Sequence, residues 1–539
     1  LVASGVPSED WADSPDYLQH SSPIRPAQRT VFCCLLIESN VNMGRQEAID
    51  NLPADPISLL TERLVAFKNA FYSWRYLAWL ILLSAAWDVI LIGGKRRAFG
   101  IFVSALHTEY TNSTMTELNW IGDSYAALGF FLMPFMSTLI IKMDRGYRGA
   151  ILAAGILIFI SCFTSAVVPS PGYLFFTHTV LHGIGSTLIL STTALITGEY
   201  FDKTHRFHVL ATTFVSGGPY GVLIFGPLFS IWTHDYGWRR AFEICGILFL
   251  ASNCISALVF YPKPIEMYEA FPSVENVGSR ERGSENLANR ALVEPTAASG
   301  RGWALCSWAH LRENWQIFLW ALERLLHNFV MYGLLMNLTT YVTEALGNEI
   351  KRGSKINLYF GAGESTIFTA GALIGDRIRG YLPLTYLLGA MVAAMLLIFA
   401  QTYYKNITAV LIIGGFLGAA IGSANTFLYA TAEEVMLVHG SIAFPMTKMI
   451  AGIGMSLAPL LSGLIIDRSG FRGFFISMTV LVCIRAVLLL GINIILWRKK
   501  IQRSQVAAKA AKEATETTPV QPIIITTTAD GERQPCDGE

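Results

Sequence analysis

The segment Lys142-Met143-Asp144-Arg145-Gly146-Tyr147-Arg148 joins two long apolar runs, and Gly375-Asp376-Arg377-Ile378-Arg379-Gly380 joins two others further along the chain. Each places Asp-Arg beside glycine and a further arginine, at the same position within a set of six apolar runs. Glycine permits a tight turn there, and the charged side chains can pair with the ends of facing helices. The repeat indicates two matching halves. The predicted conformational gating residues are Asp144, Arg145, Asp376 and Arg377.

The apolar runs on either side of these links are long enough to cross a lipid bilayer, which takes about 20 mainly apolar residues. Of the 539 residues, 53% are hydrophobic and only 15% are charged, against about 25% charged in soluble domains. We therefore predict an all-α polytopic membrane protein of about twelve helices in two six-helix bundles. The predicted spans are 77–103, 120–141, 149–168, 173–197, 208–232, 240–261, 315–342, 356–375, 382–402, 407–432, 443–466 and 473–497.

Polar segments set the predicted domain boundaries. Residues 1–70 form a polar N-terminal tail, 71–262 the first bundle, 263–312 a cytoplasmic central loop, 313–500 the second bundle and 501–539 a disordered C-terminal tail. The central loop is rich in Gly, Ser, Glu and Arg, a composition that does not favour a packed core.

Basic residues are denser in the links on one side of the predicted bilayer, which places both termini in the cytoplasm. Two N-glycosylation sequons, Asn112-Ser113-Thr114 and Asn406-Ile407-Thr408, fall in links predicted to lie outside. Asn112 and Asn406 are therefore predicted glycosylation sites.

Other classes of protein find little support. A net charge of +1 argues against nucleic-acid binding, and eight scattered cysteines give neither a disulfide framework nor a metal-site spacing. The sequence contains no nucleophile elbow and no phosphate loop at a helix start, so we predict neither an enzyme nor a cofactor.

Several stretches, taken in order, resemble the major facilitator superfamily, and within it the monocarboxylate transporter family. The resemblance covers about 75–262 and 315–497, and duplicated six-helix halves are the layout of a rocking transporter. The stretches that carry it are Arg97-Ala-Phe-Gly-Ile-Phe102, Tyr200-Phe-Asp-Lys203, Tyr236-Gly-Trp-Arg-Arg-Ala241, Ala443-Phe444, Gly452-Ile-Gly454, Pro459 and Gly463-Leu-Ile-Ile-Asp467.

The chain departs from the family pattern at several places. Tyr76-Leu-Ala-Trp79 stands where the family has Asp-Gly-Gly-Trp-Gly-Trp, and Arg97 stands where it has lysine. Glu364 falls on the family's helix-eight aspartate, and Phe368 on the arginine one turn later. The resemblance implies that this Asp/Arg pair serves proton and carboxylate chemistry in lactate-type members. The missing arginine argues against proton-coupled lactate transport and predicts that Glu364 has no arginine nearby.

Ionisable residues inside spans are candidate functional residues, because each costs about 2.5–3.5 kcal/mol at the bilayer centre. Arg97 is predicted to grip a substrate carboxylate through its bidentate fork. The alternative is that Lys95, Arg96 and Arg97 close the first helix and extend to the outer interface. Asp88 is predicted to be a protonation site or the counter-ion of a basic residue in another helix.

Proton coupling is assigned to Glu364, Glu323 and His327. Glu323 and His327 lie one helical turn apart and could relay a proton. Alternatively, the seventh helix starts later and both lie near the cytoplasmic surface. Arg485 is interpreted as structural, while Lys448 could be structural or functional.

His178 and His182 share one face of the fourth helix. Two histidines at this spacing can bind zinc, but no third ligand is evident, so we predict no metal site. Pore lining or structural hydrogen bonding is the favoured interpretation. The predicted substrate-binding set is Arg97, Asp88, His178, His182, Tyr332 and Asn425.

The predicted function is transport of small organic acids by alternating access, with protons as a candidate coupling partner. Aromatic amino acids or other organic solutes are the alternative substrates. A membrane receptor or scaffold that kept the fold and lost transport is a different class of hypothesis. The family resemblance implies a plasma-membrane location and a single-span accessory glycoprotein as a partner.

Overall fold

The structure, a computed structural model, describes residues 76–111, 113, 115–143, 145–263, 308–342, 350–403 and 405–517. The predicted N-terminal tail, most of the central loop, the end of the C-terminal tail, Asn112 and Asp144 lie outside these ranges.

Six helices form the first half of the chain. The fourth contains a π-helical stretch at Phe175–Val180, and the fifth is interrupted at 217–219. In chain order they are α1 (Leu77–Glu109), α2 (Met115–Lys142), α3 (Tyr147–Ala166), α4 (Pro171–Tyr200), α5 (208–236) and α6 (238–259).

Six more helices form the second half, after a short helix at Trp308–Glu313. Phe427 interrupts the tenth between Ile407–Thr426 and Leu428–Met436. In chain order they are α7 (Gln316–Thr340), α8 (Ile350–Ile374), α9 (Leu382–Tyr403), α10 (407–436), α11 (440–469) and α12 (471–517).

Eight helical stretches among the described residues are long and apolar enough to cross a membrane. Two of them, His208–Val259 and Gly440–Val506, each contain two successive helices. α7 and α8 are more polar. α7 carries Glu323 and Arg324, and α8 carries three basic residues near its start and Glu364 further along. The helices of the described ranges confirm the prediction of an all-α protein with about twelve spans.

The junctions α5–α6 and α11–α12 share a turn that the sequence analysis did not identify. Gly237 and Gly470 have φ values of 79° and 65°, which favour glycine. The sequences that follow, Trp238-Arg239 and Phe471-Arg472, place an aromatic residue and an arginine at matching positions. These junctions are a second internal repeat, beside the duplicated Asp-Arg link.

α1 is longer than predicted, since it continues past 103 to Glu109. Arg97 lies twenty residues after Leu77, roughly 30 Å along the helix at 1.5 Å per residue. α1 does not end at Lys95, Arg96 and Arg97, so the alternative that these residues close the helix is wrong. A position near the outer interface stays an alternative, because about 30 Å is also the thickness of the hydrocarbon core.

Small residues bring α1 and α5 into backbone contact. Gly93 packs so closely on α5 that an added Cβ would lie 2.5 Å from the Gly218 carbonyl oxygen, and Gly94 packs in the same way on Gly221. The glycine-rich stretch at 217–221 is therefore a contact face of α5. The close approach brings the Gly218 carbonyl within reach of Arg97.

The two halves meet along α2 and α11 and along α5 and α8. Gly452 in α11 packs on the backbone of α2 at Ala127, and Gly361 in α8 packs on Val222 in α5. We call the side that carries the α2–α3, α4–α5, α8–α9 and α10–α11 links the link face. Many of the contacts between the two halves lie on the part of the interface that runs from the link face to Arg97.

Candidate functional site

An ion pair joins the two halves at the level of Arg97. The Arg97 Nη2 and Nε atoms donate to the two carboxylate oxygens of Glu364 at 2.6 and 3.2 Å. The Arg97 Nη1 atom donates to the Gly218 carbonyl at 3.3 Å. Both charged side chains are largely buried, at 7% and 1% exposure. The prediction that Glu364 has no arginine nearby is wrong, because α1 supplies one from the other half.

Arg96 lies next to this pair and contacts aromatic rings from both halves. Its guanidinium carbon is 5.2 Å from the ring centroid of Phe130 in α2 and 5.7 Å from that of Tyr332 in α7. Within the described residues its side chain forms no hydrogen bond or ion pair, and its Nε atom is buried. Tyr332 was predicted to bind substrate, whereas the sequence analysis favoured Arg97 over Arg96.

Lys448 adds a third cation from α11. Its Nζ atom donates to the Ser216 carbonyl in α5 at 2.9 Å and lies 4.7 Å from the centroid of Phe130. The sequence left its role open. The structure places it at the interface between the halves, beside the ring that Arg96 also covers.

Phe368 stands at the position of the family's arginine, and its ring packs against aromatic rings of the first half. Its ring lies 6.3 Å from that of Phe214 and 5.7 Å from that of Tyr220, both in the first half. The Tyr220 hydroxyl is 2.8 Å from the Thr369 hydroxyl. The cations of the site therefore come from α1 and α11, and not from α8.

Asp88 lies deep in the first half. Its two carboxylate oxygens accept hydrogen bonds from the hydroxyls of Ser252 and Ser256 in α6, at 2.5 and 2.6 Å. In the described part of the chain it forms no ion pair, so the counter-ion alternative is wrong. Its role as a protonation site stays a prediction.

His178 and His182 lie inside the first-half bundle with Lys95. The Lys95 Nζ atom is 3.3 Å from the Nδ1 atom of His182 and 3.5 Å from the Cys162 sulfur. The two imidazole rings stack at 5.1 Å, and Phe99 stacks on His178 at 4.9 Å. No group of three metal-ligating side chains occurs among the described residues. These contacts favour a structural role for His182. Both ring nitrogens of His178 are buried without a hydrogen-bond partner among the described residues, so the role of His178 stays a prediction.

A buried ion-pair cluster holds α7 against α12. The Glu323 carboxylate accepts from Arg324 Nε at 2.5 Å and from Arg485 Nη2 at 3.0 Å. All three side chains are fully or almost fully buried. α7 begins at Gln316, so the alternative that this helix starts later is wrong. His327 is buried one turn further on, and Asn425 in α10 donates to the Met331 sulfur at 3.1 Å.

With both carboxylate oxygens of Glu323 engaged by guanidinium groups, a Glu323–His327 relay finds no support in these contacts. The cluster instead supports the structural interpretation of Arg485. The roles of His327 and Asn425 stay predictions.

The α8–α9 link forms hydrogen bonds with the other half at the link face. The Asp376 carboxylate accepts from the backbone N–H groups of Val209 and Leu210 at 2.9 and 3.1 Å, which caps α5 from the other half. Arg379 donates to the carbonyls of Lys203, His205 and Arg206 at 3.1, 2.6 and 3.3 Å.

Arg377, which was predicted to gate, is exposed, and Arg379 makes the contact instead. In the first half, Arg145 pairs with Glu199 at 2.8 Å. The α4–α5 link that Arg379 grips contains His205, and burial lowers the pKa of this histidine. The neutral ring adds no positive charge to a link that already faces the Arg379 guanidinium.

A family model of the major facilitator superfamily matches residues 78–446. The chain belongs to the major facilitator superfamily. The match confirms the resemblance seen in the sequence. It includes Arg97 and Glu364 and ends two residues before Lys448. The protein is therefore a multi-pass membrane protein of this superfamily.

Curated relatives narrow the resemblance to the monocarboxylate transporters. Rat monocarboxylate transporter 2 is 22% identical over 429 residues, which cover 74% of this chain and 82% of that protein. Rat monocarboxylate transporter 9 is 22% identical over 483 residues, covering 75% and 93%. Mouse monocarboxylate transporter 14 is 27% identical over 200 residues, so the match spans 37% of this chain and 38% of that protein. The chain is similar to these proteins at 22–27% identity, and it spans less than half the length of mouse monocarboxylate transporter 14.

Proposed function

We propose that this transporter carries small organic acids and binds their carboxylate between the two halves. The observation that carries the proposal is the excess of cations at the interface. Among the described residues, Arg96, Arg97 and Lys448 lie there with one acid, Glu364. An uncompensated buried charge is costly, so the site favours an anionic ligand. The names of the monocarboxylate transporter relatives support the same class of substrate.

Arg97 would hold the carboxylate by exchanging partners. Its guanidinium is occupied by Glu364 in a bidentate pair, the geometry that a substrate carboxylate also uses. Protonation of Glu364 removes the competing charge and leaves Arg97 free for substrate. We therefore propose that proton uptake by Glu364 accompanies substrate binding.

Alternating access would open the link face and close the opposite side. The contacts that must break are those of Asp376 and Arg379 with the α4–α5 link, together with His208 Nε2 to Glu433 Oε2 at 3.2 Å. Basic residues favour a cytoplasmic link face, so the described arrangement would be closed toward the cytoplasm. We place the protein in the plasma membrane with both termini inside, and propose a single-span glycoprotein as accessory partner.

One observation favours the second candidate, transport of aromatic amino acids or similar solutes. Phe130, Tyr332 and Phe368 present aromatic rings around the charged groups, and such rings suit a substrate with an aromatic body. This candidate shares the carboxylate grip and differs in the rest of the substrate.

A substrate screen in oocytes at two external pH values tests the proposal. We expect uptake of monocarboxylates that rises at the lower pH and falls at least tenfold in an Arg97→Ala variant. The control is Arg240→Gln, which removes an exposed arginine whose ion pair is with Glu243 on its own helix. Unchanged uptake by Arg97→Ala would refute the carboxylate grip. Solute binding without flux would favour the receptor hypothesis.

A further inference from the structure

The Arg97–Glu364 pair neutralises itself, so the charge balance of the interface depends on its other cations. Arg96 forms no ion pair within the described residues, and its buried Nε atom has no hydrogen-bond partner. Lys448 donates to a neutral carbonyl, that of Ser216. Two cations therefore remain without an acidic partner in this part of the described chain.

These two cations are close enough to act on one small ligand. The Arg96 guanidinium carbon is 5.2 Å and the Lys448 Nζ atom 4.7 Å from the same ring centroid, that of Phe130. Since both lie against one ring, the two charged groups are at most about 10 Å apart. Arg96 comes from the first half and Lys448 from the second, so a ligand between them bridges the halves.

Charge neutrality discriminates between the classes of organic acid. A monocarboxylate compensates one of the two cations and leaves the other buried without a counter-charge, which is unfavourable. A zwitterionic amino acid adds an ammonium group to a region whose acid, Glu364, is already paired with Arg97. A dianion supplies one negative charge for each cation.

We propose that the preferred substrate is a short dicarboxylate, with one carboxylate on Arg96 and the other on Lys448. This rests on the proposed transport of organic acids and names a substrate class for the same interface. The grip by Arg97 is proposed for a monocarboxylate such as lactate, whereas a dicarboxylate would use the two neighbouring cations and leave the Arg97–Glu364 pair in place. Arg96 donates through a planar fork that matches a carboxylate, while Lys448 has two N–H groups left after its bond to Ser216.

The test compares uptake of labelled succinate and lactate by the full chain in oocytes, at equal surface expression. We expect succinate to be taken up and to compete with lactate more effectively than acetate or propionate does. Arg96→Gln should lower the ratio of succinate to lactate uptake by about tenfold, the effect of losing about 1.4 kcal/mol of charge pairing. Arg96→Lys keeps the charge and should retain most of the ratio, while Arg240→Gln should leave it unchanged.

Lys448→Gln provides a second and independent measurement, because it removes the other cation from a different helix and should lower the same ratio. Robust lactate uptake without succinate uptake or competition would overturn the dicarboxylate assignment and leave the proposed function intact. A succinate to lactate ratio that is unchanged in both Arg96→Gln and Lys448→Gln would also overturn it. If neither acid is taken up by protein at the cell surface, the proposed function fails as well.

Discussion

Replacing Glu364 with glutamine separates the two roles of this residue, as partner of Arg97 and as acceptor of a proton. Glutamine keeps the size of the side chain and removes its charge, which leaves the Arg97 guanidinium buried without a counter-ion. The lost contacts are the two hydrogen bonds at 2.6 and 3.2 Å. Removing one partner of a buried pair costs about 3–5 kcal/mol, and these side chains are 1% and 7% exposed.

A substrate carboxylate can repair that loss, because it no longer competes with Glu364 for Arg97. We therefore expect Glu364→Gln to bind substrate more tightly, with a lower KM for uptake. Its uptake should no longer depend on external pH between about 6 and about 8, since the group that accepts the proton is gone. The purified variant should unfold at a lower temperature than wild type without substrate, and saturating substrate should recover part of the difference.

The assay is initial-rate uptake of labelled lactate across that pH range, normalised to surface expression, for wild type, Glu364→Gln and Glu364→Asp. Glu364→Asp keeps the titratable carboxyl and should keep a pH dependence. A Glu364→Gln variant with the wild-type pH profile would refute the assignment of proton uptake to this residue.

Three other predictions concern the link face, a repeated turn and a loop. Arg379→Gln removes the donors to three carbonyls of the α4–α5 link. That link should then become several-fold more sensitive to protease added from the link-face side. Arg377→Gln, at an exposed neighbouring position, should leave the sensitivity unchanged. Gly470→Ala should destabilise the protein by about 1–3 kcal/mol through its positive φ, measured by thermal unfolding, while Gly463→Ala, in open space with no such φ, should cost less. Asn406 is exposed in the α9–α10 link. In an Asn112→Gln background, which removes the other predicted site, a mobility shift on deglycosylation should remain, and adding Asn406→Gln should abolish it; no shift in Asn112→Gln alone would remove Asn406 as a glycan site.

The sequence was informative about the fold because a bilayer imposes a simple length and polarity rule. Most predicted spans differ from the helices by a few residues at each end. The duplicated link predicted that its charged side chains pair with facing helix ends, as Asp376 does at the start of α5. The largest difference is at the end of α12, which continues to Thr517 although 501–539 was predicted to be a disordered tail. A second difference is at the end of α1. Charged residues usually mark the end of a span, but here Lys95, Arg96 and Arg97 lie within a longer helix whose protein contacts cover these positions.

Helix geometry explains why the three cations of α1 have different environments. Successive residues are separated by about 100° around a helix, so three in a row face three directions. Lys95 contacts His182 and Cys162 within the first half, Arg96 contacts rings of α2 and α7, and Arg97 pairs with α8. The local sequence predicts the divergence, but not which neighbour lies on each side.

The partner of Glu364 could not be predicted because 267 residues separate it from Arg97. Sequence comparison pointed to the position one turn after Glu364, where Phe368 stands in place of an arginine. In this chain the cation is supplied across the interface by α1, so the missing residue on α8 does not leave Glu364 without a partner.

The most direct test of carboxylate binding between the halves is substrate stabilisation of the purified protein. At a lactate concentration 100 times its dissociation constant, binding to the folded state should stabilise wild type by about 2.7 kcal/mol. We predict a corresponding rise in the unfolding temperature of wild type and Arg240→Gln, and its loss in Arg97→Gln. An equal rise in Arg97→Gln would show that the carboxylate binds elsewhere and would contradict the account.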